Sequence, residues 1–204
     1  KRKRCKQDLA RERCSLSTEN VIFTGDFGPP FFLNAHYMKN LLTALSLVFA
    51  TTALVAQELP STTLKTLEGK QVDILTQINH EGPTVISFWA TWCKPCIKEL
   101  NAFMDYAIDL EDEVNMKVLA VSIDDTRNSS RVAPLVQGQG WEYTVLLDEN
   151  QDLKRNLGIV NVPFTLVLNS AGEVVWKHSG YSPGDEEHLA EVVEEVAAGR
   201  TPSH

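Results

Sequence analysis

From Gln57 onwards, the hydrophobic positions alternate between short apolar runs and longer stripes in which they recur every three or four residues. Runs of β-branched and aromatic residues between polar positions predict buried strands, here at residues 84–89, 117–123, 143–147 and 164–168. Segments beside turn sequences that contain glycine predict hairpin or edge strands, namely 64–67, 72–75 and 173–178. The pattern therefore predicts a sheet of several strands.

The longer stripes have the spacing of amphipathic helices. In residues 94–110 the apolar positions form one face: Ile97, Leu100, Phe103, Met104, Ala107 and Ile108. Residues 185–198 have a similar face, whereas 128–137 contains Pro134 and 151–156 is one short turn. Pro134 must kink its helix or lie in the first turn. Strands that alternate with helices predict a single α/β domain, a central mixed β-sheet flanked by helices on both faces.

The part of the chain before Gln57 has a different character. Residues 41–56 form a run of 16 residues without a charge, preceded by Met38 and closed by Ala56. This composition is typical of a secretory signal peptide and is short for a bilayer span, which needs roughly 20 apolar residues. We expect residues 38–56 to be a signal peptide and the following domain to be exported. An uncleaved membrane anchor or a buried core helix is the alternative.

Residues 1–37 precede this predicted signal, although a signal peptide normally opens a protein. They show no hydrophobic periodicity and contain a Gly-Pro-Pro breaker. We expect translation to start at Met38 and residues 1–37 to be disordered upstream sequence; a basic arm that contacts anionic lipid or nucleic acid is the alternative. The predicted organisation is an upstream segment 1–37, a signal peptide 38–56 and an α/β domain 57–204.

Composition narrows the class of protein. The 204 residues are 43% hydrophobic and 23% charged, which excludes a disordered or low-complexity chain and allows one sizeable core. The net charge of −8 argues against nucleic acid as the main partner. Residues 1–56 carry eight lysines and arginines against four aspartates and glutamates, and residues 57–204 carry 11 against 23. The predicted domain is therefore strongly acidic.

Cys93 and Cys96 stand where the predicted strand 84–89 passes into the predicted helix 94–110. Cys93 is at the cap of this helix, where unpaired N–H groups and the helix dipole favour the thiolate, the reactive form of cysteine. Cys96 lies on the same side of the first turn, within disulfide reach, and Pro95 fits this turn. Such a pair attacks a substrate disulfide through Cys93 and resolves the mixed disulfide through Cys96.

Other roles for two closely spaced cysteines fit this chain less well. A structural zinc site needs four ligands, and residues 57–204 contain no second cysteine pair. Covalent haem attachment needs a histidine where this chain has Ile97. A static disulfide remains an alternative, although so short a loop constrains the chain little. We predict a redox-active disulfide between Cys93 and Cys96, with no metal ion and no bound cofactor.

The segment SFWATWCKPC, residues 87–96, resembles the active-site segment of the thioredoxin superfamily. More narrowly, about residues 59–198 resemble the exported TlpA/ResA-like thiol-disulfide oxidoreductases. The resemblance implies a thioredoxin-like fold in which the cysteine pair itself carries the electrons. It also implies that the chain reduces disulfides, although the sequence does not determine the redox potential.

The resemblance assigns roles outside the motif. Val162-Pro163 corresponds to a cis-proline whose preceding backbone pairs with an extended substrate segment; an ordinary trans proline is the alternative. Glu99 corresponds to an acidic residue beneath the cysteines, where a raised pKa would let it exchange a proton with Cys96; a solvated carboxylate is the alternative. Trp92 is expected at the exposed rim of the substrate site and Trp89 in the core.

Some positions depart from the family pattern or stay outside it. Ser87 stands where thioredoxin has a buried aspartate, which leaves Glu99 as the remaining proton acceptor. No proline closely follows Glu99, so this sequence does not predict the helix kink that is common in the subgroup. The histidines of the domain are expected to be plain surface residues: His80, His178 and His188.

We therefore expect a thiol-disulfide oxidoreductase that is periplasmic or otherwise extracytoplasmic. By resemblance, its partners are disulfide-containing extracytoplasmic client proteins, with cytochrome c maturation as one such role, and a membrane thiol-disulfide electron donor. An exported copper chaperone of the thioredoxin fold is one alternative, but it would separate the cysteines by three residues and add a histidine near Pro163. The other alternative is a non-catalytic interaction module whose disulfide is only a staple.

Overall fold

A computed structural model of the protein describes residues 57–202. The predicted upstream segment 1–37 and signal peptide 38–56 lie outside the described residues. Within residues 57–202 the strands of one sheet are β1 (Gln57–Glu58), β2 (Thr63–Thr66), β3 (Gln71–Asp73), β4 (Thr84–Trp89), β5 (Lys117–Ser122), β6 (Thr144–Leu147), β7 (Phe164–Leu168) and β8 (Glu173–Ser179). Their spatial order is β1-β8-β7-β4-β5-β6-β2-β3. Strands β4, β5 and β6 run parallel, and the other pairs are antiparallel.

The α-helices in this part of the chain are α1 (Lys94–Val114), α2 (Val132–Gln139), α3 (Asp152–Asn156) and α4 (Asp185–Ala197). Two 3-10 turns accompany them, at Ile74–Gln77 and Ser129–Arg131. The predicted α/β class and the mixed sheet are thus confirmed. None of the helices among the described residues is long and apolar enough to cross a membrane.

The connections place α1 and α2 on the same face of the sheet. The chain passes from β4 through α1 to the parallel strand β5, and from β5 through α2 to the parallel strand β6. Because such crossovers are right-handed, two steps in the same direction put both helices on one side. The stripe of α1 packs there against α4 and the sheet, in a cluster that contains Phe103, Ala107, Val85 and Val193.

The opposite face of β4 contributes to a second cluster. Ile86 and Phe88 point away from Val85, because successive side chains of a strand alternate. They cluster with Ile74 of the first 3-10 turn and Leu153 of α3, and this cluster extends to the two cysteines. Every residue of β4 is buried, as expected for a strand covered on both faces. The cysteines therefore follow the most enclosed strand of the sheet.

Helix α1 is one turn longer than the apolar stripe predicts. Its last residues, 111–114, are mostly acidic and continue the helix without extending the buried face. The helix ends at Asn115, whose φ of 53° is left-handed. Gly82 packs against this end so closely that a Cβ atom would lie 2.3 Å from the Asn115 carbonyl oxygen. Only glycine fits there.

Helix α2 begins later than predicted. Residues 129–131 form a 3-10 turn, and the α-helix starts at Val132. Pro134 consequently lies in the first turn of α2, where its missing N–H has no intrahelical acceptor and costs no hydrogen bond. Of the two outcomes that the sequence allows for Pro134, a kink or a place in the first turn, the second is observed.

Candidate active site

Cys93 and Cys96 form a disulfide at the junction between β4 and α1, with their Cα atoms 5.4 Å apart. In the connecting turn the Cys93 N–H donates to the Ala90 carbonyl oxygen at 3.0 Å. Cys93 is the N-cap residue of α1, and its Sγ accepts a hydrogen bond from the Cys96 N–H at 3.3 Å. The N-terminus of α1 thus supplies a donor to the Cys93 sulfur, which favours the thiolate once the disulfide is reduced.

The two cysteines differ in their access to solvent. Cys93 keeps 4% of its surface exposed, whereas Cys96 is completely buried. The small part of the pair that reaches the surface therefore belongs to Cys93. Pro95 stands between them in the first turn of α1, where the backbone N–H would lack an intrahelical acceptor in any case.

Asp124 holds the loop that leads to the cysteines. Its carboxylate accepts hydrogen bonds from the Thr91 N–H at 2.8 Å, the Thr91 hydroxyl at 2.7 Å and the Ser122 hydroxyl at 2.8 Å. Asp124 is 1% exposed. These bonds tie the residue two positions before Cys93 to the end of β5. Sequence reasoning missed Asp124, although a polar residue just past a buried parallel strand was available as a signal.

Glu99 lies one turn after Cys96 on the buried side of α1 and is 5% exposed. Its Oε1 accepts a hydrogen bond from the Thr165 hydroxyl of β7 at 2.9 Å. Burial raises the pKa of Glu99 to about 7; the Thr165 hydrogen bond lowers this pKa, and the charge of Asp185 raises it. The structure therefore has a buried carboxyl here, not the solvated helix carboxylate of the alternative interpretation, and it titrates near neutral pH.

The peptide bond between Val162 and Pro163 is cis. The ladder between β7 and β4 pairs Phe164 with Phe88, so Pro163 lies beside the end of β4, where the chain turns towards Cys93. Pro163 is buried, and its carbonyl oxygen accepts a hydrogen bond from the Gly180 N–H at 2.9 Å. The structure thus brings Val162 and Pro163 to the same edge of the sheet as the cysteines.

Two large apolar side chains are exposed at this edge. Trp92, directly before Cys93, is 64% exposed, and Val160, in the loop before Pro163, is 78% exposed. Trp89, by contrast, is buried and makes an edge-to-face contact with Trp141, with ring centroids 4.9 Å apart. Trp92 and Trp89 therefore occupy the rim and the core as expected. Val160 was missed because a single valine in a predicted loop carries no pattern.

The histidines correct one expectation. His178 of β8 stacks on the buried Trp176, and its Nε2 lies 3.3 Å from an Asp185 carboxylate oxygen. His188 of α4 makes an edge contact with the same Trp176. The expectation that they are plain surface residues is wrong for these two, because the packing of α4 onto β8 half-buries both rings. Among residues 57–202, no three histidine, cysteine, aspartate or glutamate side chains are grouped to hold a metal ion.

Comparisons with known proteins agree with this fold. Residues 55–177 match the family model described as AhpC/TSA family. The chain belongs to the AhpC/TSA family. The match covers strands β1 to β7 and most of β8, and it includes both cysteines, Glu99 and Pro163.

Two relatives of this AhpC/TSA-family chain are named as thiol-disulfide oxidoreductases. Sporulation thiol-disulfide oxidoreductase A of Bacillus subtilis is 28% identical over 133 residues, which are 65% of this chain and 77% of the relative. Thiol-disulfide oxidoreductase ResA of Bacillus thuringiensis is 28% identical over 121 residues, 59% of this chain and 67% of the relative. A solved thioredoxin-like protein of Porphyromonas gingivalis is 41% identical, with a TM-score of 0.62 over 69% of this chain and 92% of its own. The predicted thioredoxin-like fold and thiol-disulfide oxidoreductase class are confirmed.

Proposed function

We propose that the protein is an extracytoplasmic reductase that acts on disulfides of selected client proteins through Cys93 and Cys96. The observation that carries this proposal is the disulfide at the N-terminus of α1, in which Cys93 keeps a small exposed surface and Cys96 is completely buried. Disulfide exchange needs such a pair, because one thiolate must meet the client and the other must attack the mixed disulfide from inside. Relatives named thiol-disulfide oxidoreductases support the chemistry.

The reaction proceeds in two exchanges. The Cys93 thiolate attacks one sulfur of the client disulfide, the client S–S bond breaks, and the other client sulfur leaves as a thiolate. Cys96 then loses its proton and attacks the Cys93 sulfur of the mixed disulfide. This forms the Cys93–Cys96 disulfide and releases the second client thiolate. Two electrons have passed from the cysteine pair to the client, so no bound cofactor is required.

Glu99 is proposed as the acceptor of the Cys96 proton. Positions three apart on a helix lie on the same face, so Glu99 is the neighbour of Cys96 on the buried side of α1. Its pKa of about 7 lets it both accept and release a proton near neutral pH. Ser87, at the position of the buried aspartate of thioredoxin, has no carboxyl group to take this role.

The edge of the sheet around Pro163 is proposed as the client-binding site. Strand β7 begins its ladder at Phe164, so the Val162 backbone lies beyond the pairs of the sheet. An extended client segment that pairs with this backbone would lie beside Cys93, and Trp92 would contact its side chains. Binding by strand addition selects the extended shape of the segment, while Trp92 adds apolar contact.

The location and the electron donor are proposed from the sequence. Residues 38–56 have the composition of a signal peptide, which would place the domain in the periplasm or another extracytoplasmic space. There the oxidised pair would be reduced by a thiol-disulfide donor in the membrane. Apocytochrome c is one class of client, because haem attachment needs reduced cysteines. Nucleic acid is not proposed as a partner, because the chain has a net charge of −8.

The mechanism is tested by trapping the mixed disulfide. In the full chain with Cys5→Ser and Cys14→Ser, Cys96→Ser should accumulate a covalent complex with a disulfide-bonded reporter protein. Cys93→Ser should form no complex and reduce nothing. Both products are measured by non-reducing electrophoresis and mass spectrometry. Unchanged reduction by Cys93→Ser would overturn the proposal.

The direction of electron flow is tested by a glutathione redox titration of the same cysteine background. A reductase should have a potential near that of thioredoxin, about −270 mV, or lower. A potential near that of the periplasmic oxidant DsbA, about −120 mV, would instead assign the protein to disulfide formation. The alkylated fraction of Cys93, measured by mass spectrometry, gives the titration curve.

A further inference from the structure

One side chain from another element holds the Glu99 carboxyl. The Thr165 hydroxyl donates to Glu99 Oε1 at 2.9 Å, and both residues are buried. Among residues 57–202, the Thr165 hydroxyl donates to Glu99 Oε1. The other oxygen of this carboxyl, Oε2, makes no hydrogen bond with these residues. The structure thus distinguishes the two oxygens of one carboxyl group: the protein holds one and leaves the other free of such a bond.

The register of the sheet determines where Thr165 lies. Thr165 is opposite Ser87 of β4 on one side and His178 of β8 on the other. Opposite residues share a face of the sheet, so the three side chains form a row. The hydrogen bond to Thr165 shows that Glu99 lies over this row, and Cys96 precedes Glu99 by one turn on the same helix face. Thr165 is therefore the point at which the sheet holds the residue next to Cys96.

We propose that Thr165 is a positioning residue for proton transfer from Cys96, because its bond to Oε1 assigns the exchangeable proton of Glu99 to Oε2. The proposal rests on the function proposed for Glu99. When Cys96 attacks the mixed disulfide, its S–H bond breaks, and the proton passes to Oε2 of the ionised carboxyl. The sulfur electron pair forms the new S–S bond to Cys93 while the bond between Cys93 and the client sulfur breaks, and the client leaves as a thiolate. Thr165 itself exchanges no proton and touches no reacting atom.

The hydroxyl also favours the ionised carboxyl that this step requires. A donor to a carboxylate stabilises the charged form, so Thr165 lowers the pKa of Glu99 against the effect of burial. Other titratable groups lie around Glu99. The charge of Asp185 in α4 raises the pKa of Glu99, and His178 pairs with Asp185. The charge of Glu99 in turn raises the pKa of Tyr143 beside β6 and of Tyr181 before α4. A variant that lacks only this hydroxyl loses the donor that lowers the pKa of Glu99 against the effect of burial.

The test follows the second exchange directly. Reduced full chain with Cys5→Ser and Cys14→Ser is mixed with dithiobis(nitrobenzoate) in a stopped-flow instrument from pH 5 to pH 9. The first thionitrobenzoate marks the attack by Cys93, and the second marks the attack by Cys96. The rate of the second release is then plotted against pH. The midpoint of this curve reports the pKa of the group that accepts the Cys96 proton.

Thr165→Val, which keeps the shape but removes the hydroxyl, should shift this midpoint upward by about one pH unit or more, because hydrogen bonds to charged groups are the strong ones. Thr165→Ser, which keeps the donor, should restore the midpoint. Glu99→Gln should remove the midpoint, and Thr165→Val should then have no further effect on the profile in the Glu99→Gln background. A merely structural role of Thr165 would not produce this dependence on Glu99.

Thr84→Val is the matched control. Thr84 is a buried threonine at the far end of β4, and its hydroxyl accepts a hydrogen bond from the Asn79 N–H at 2.9 Å. Thr84→Val should lower the free energy of unfolding without moving the midpoint of the second release. An unmoved midpoint in Thr165→Val, while Glu99→Gln still abolishes it, would overturn the role of Thr165 alone. An unchanged profile in Glu99→Gln would instead overturn the proposed function of Glu99.

Discussion

Two buried carboxyl groups flank the cysteine pair, and the protein treats them differently. Asp124, on the side of the loop before Cys93, accepts three hydrogen bonds from Thr91 and Ser122. Glu99, on the side beneath Cys96, accepts one, from Thr165. Both residues are almost fully enclosed. Similar burial therefore coexists with different numbers of hydrogen-bond donors.

The difference separates a structural from a chemical use of a buried carboxyl. The donors to Asp124 offset the loss of its hydration and fix the conformation of the loop. With one donor, Glu99 remains poorly compensated, and burial raises its pKa to about 7. A group in this state changes its charge near neutral pH, which a proton acceptor needs. The number of donors that face each carboxyl thus sets what it is suited to do.

The largest effect is expected at Asp124. Asp124→Ala would leave the Thr91 N–H and two hydroxyl groups buried without this acceptor, and should lower the free energy of unfolding by about 3–5 kcal/mol. Asp109→Ala, at an exposed aspartate of α1, is the control and should change it by less than about 0.5 kcal/mol. Urea unfolding measures both. Equal losses in the two variants would show that Asp124 does not hold the loop.

The next effect is a pH dependence of stability at Glu99. Its pKa rises from an ordinary 4.5 to about 7 on folding, so the folded protein binds this proton more tightly than the unfolded chain. The contribution of Glu99 to stability is full below pH 4.5 and is lost as pH rises through 7, a change of about 3 kcal/mol. Glu99→Gln should remove it. Urea unfolding at pH 4.5 and pH 8 tests this, and the same pH dependence in the variant would contradict a raised pKa at Glu99.

The smallest effect on stability is expected at Trp92, the exposed residue directly before Cys93. Because Trp92 is 64% exposed, Trp92→Ala should change the free energy of unfolding by less than about 0.5 kcal/mol. Its loss should raise the KM for a protein client about five- to tenfold, since exposed aromatic residues often anchor partners. Steady-state reduction of a reporter protein gives KM. An unchanged KM would exclude Trp92 from the client site.

The sequence predicts the frame of this site well because the frame depends on local patterns. The bounds of β4 and β7 agree with their apolar runs, and Cys93 and Cys96 were placed by the strand-to-helix change around them. The last turn of α1 was missed because residues 111–114 add charge rather than a buried stripe. Local pattern thus reports burial and periodicity, and little else.

The hydrogen bonds around the two buried carboxyls were beyond prediction because they depend on register and on contacts between distant segments. Thr165 reaches Glu99, 66 positions earlier in the chain, and Asp124 reaches Thr91, 33 positions earlier. A threonine inside a buried strand looks the same in sequence whether it donates to a carboxyl or to nothing. Val160 is similar, since its exposure follows from the path of one loop.

The reactivity of Cys93 tests the proposed chemistry most directly. In the reduced full chain with Cys5→Ser and Cys14→Ser, the rate of iodoacetamide labelling at Cys93 is followed by mass spectrometry at pH 6 and compared with free cysteine. The N-terminus of α1 should keep the Cys93 thiolate populated at this pH, so labelling should be at least about tenfold faster than for free cysteine, whose thiol has a pKa of about 8.5. Labelling no faster than free cysteine would contradict Cys93 as the attacking sulfur.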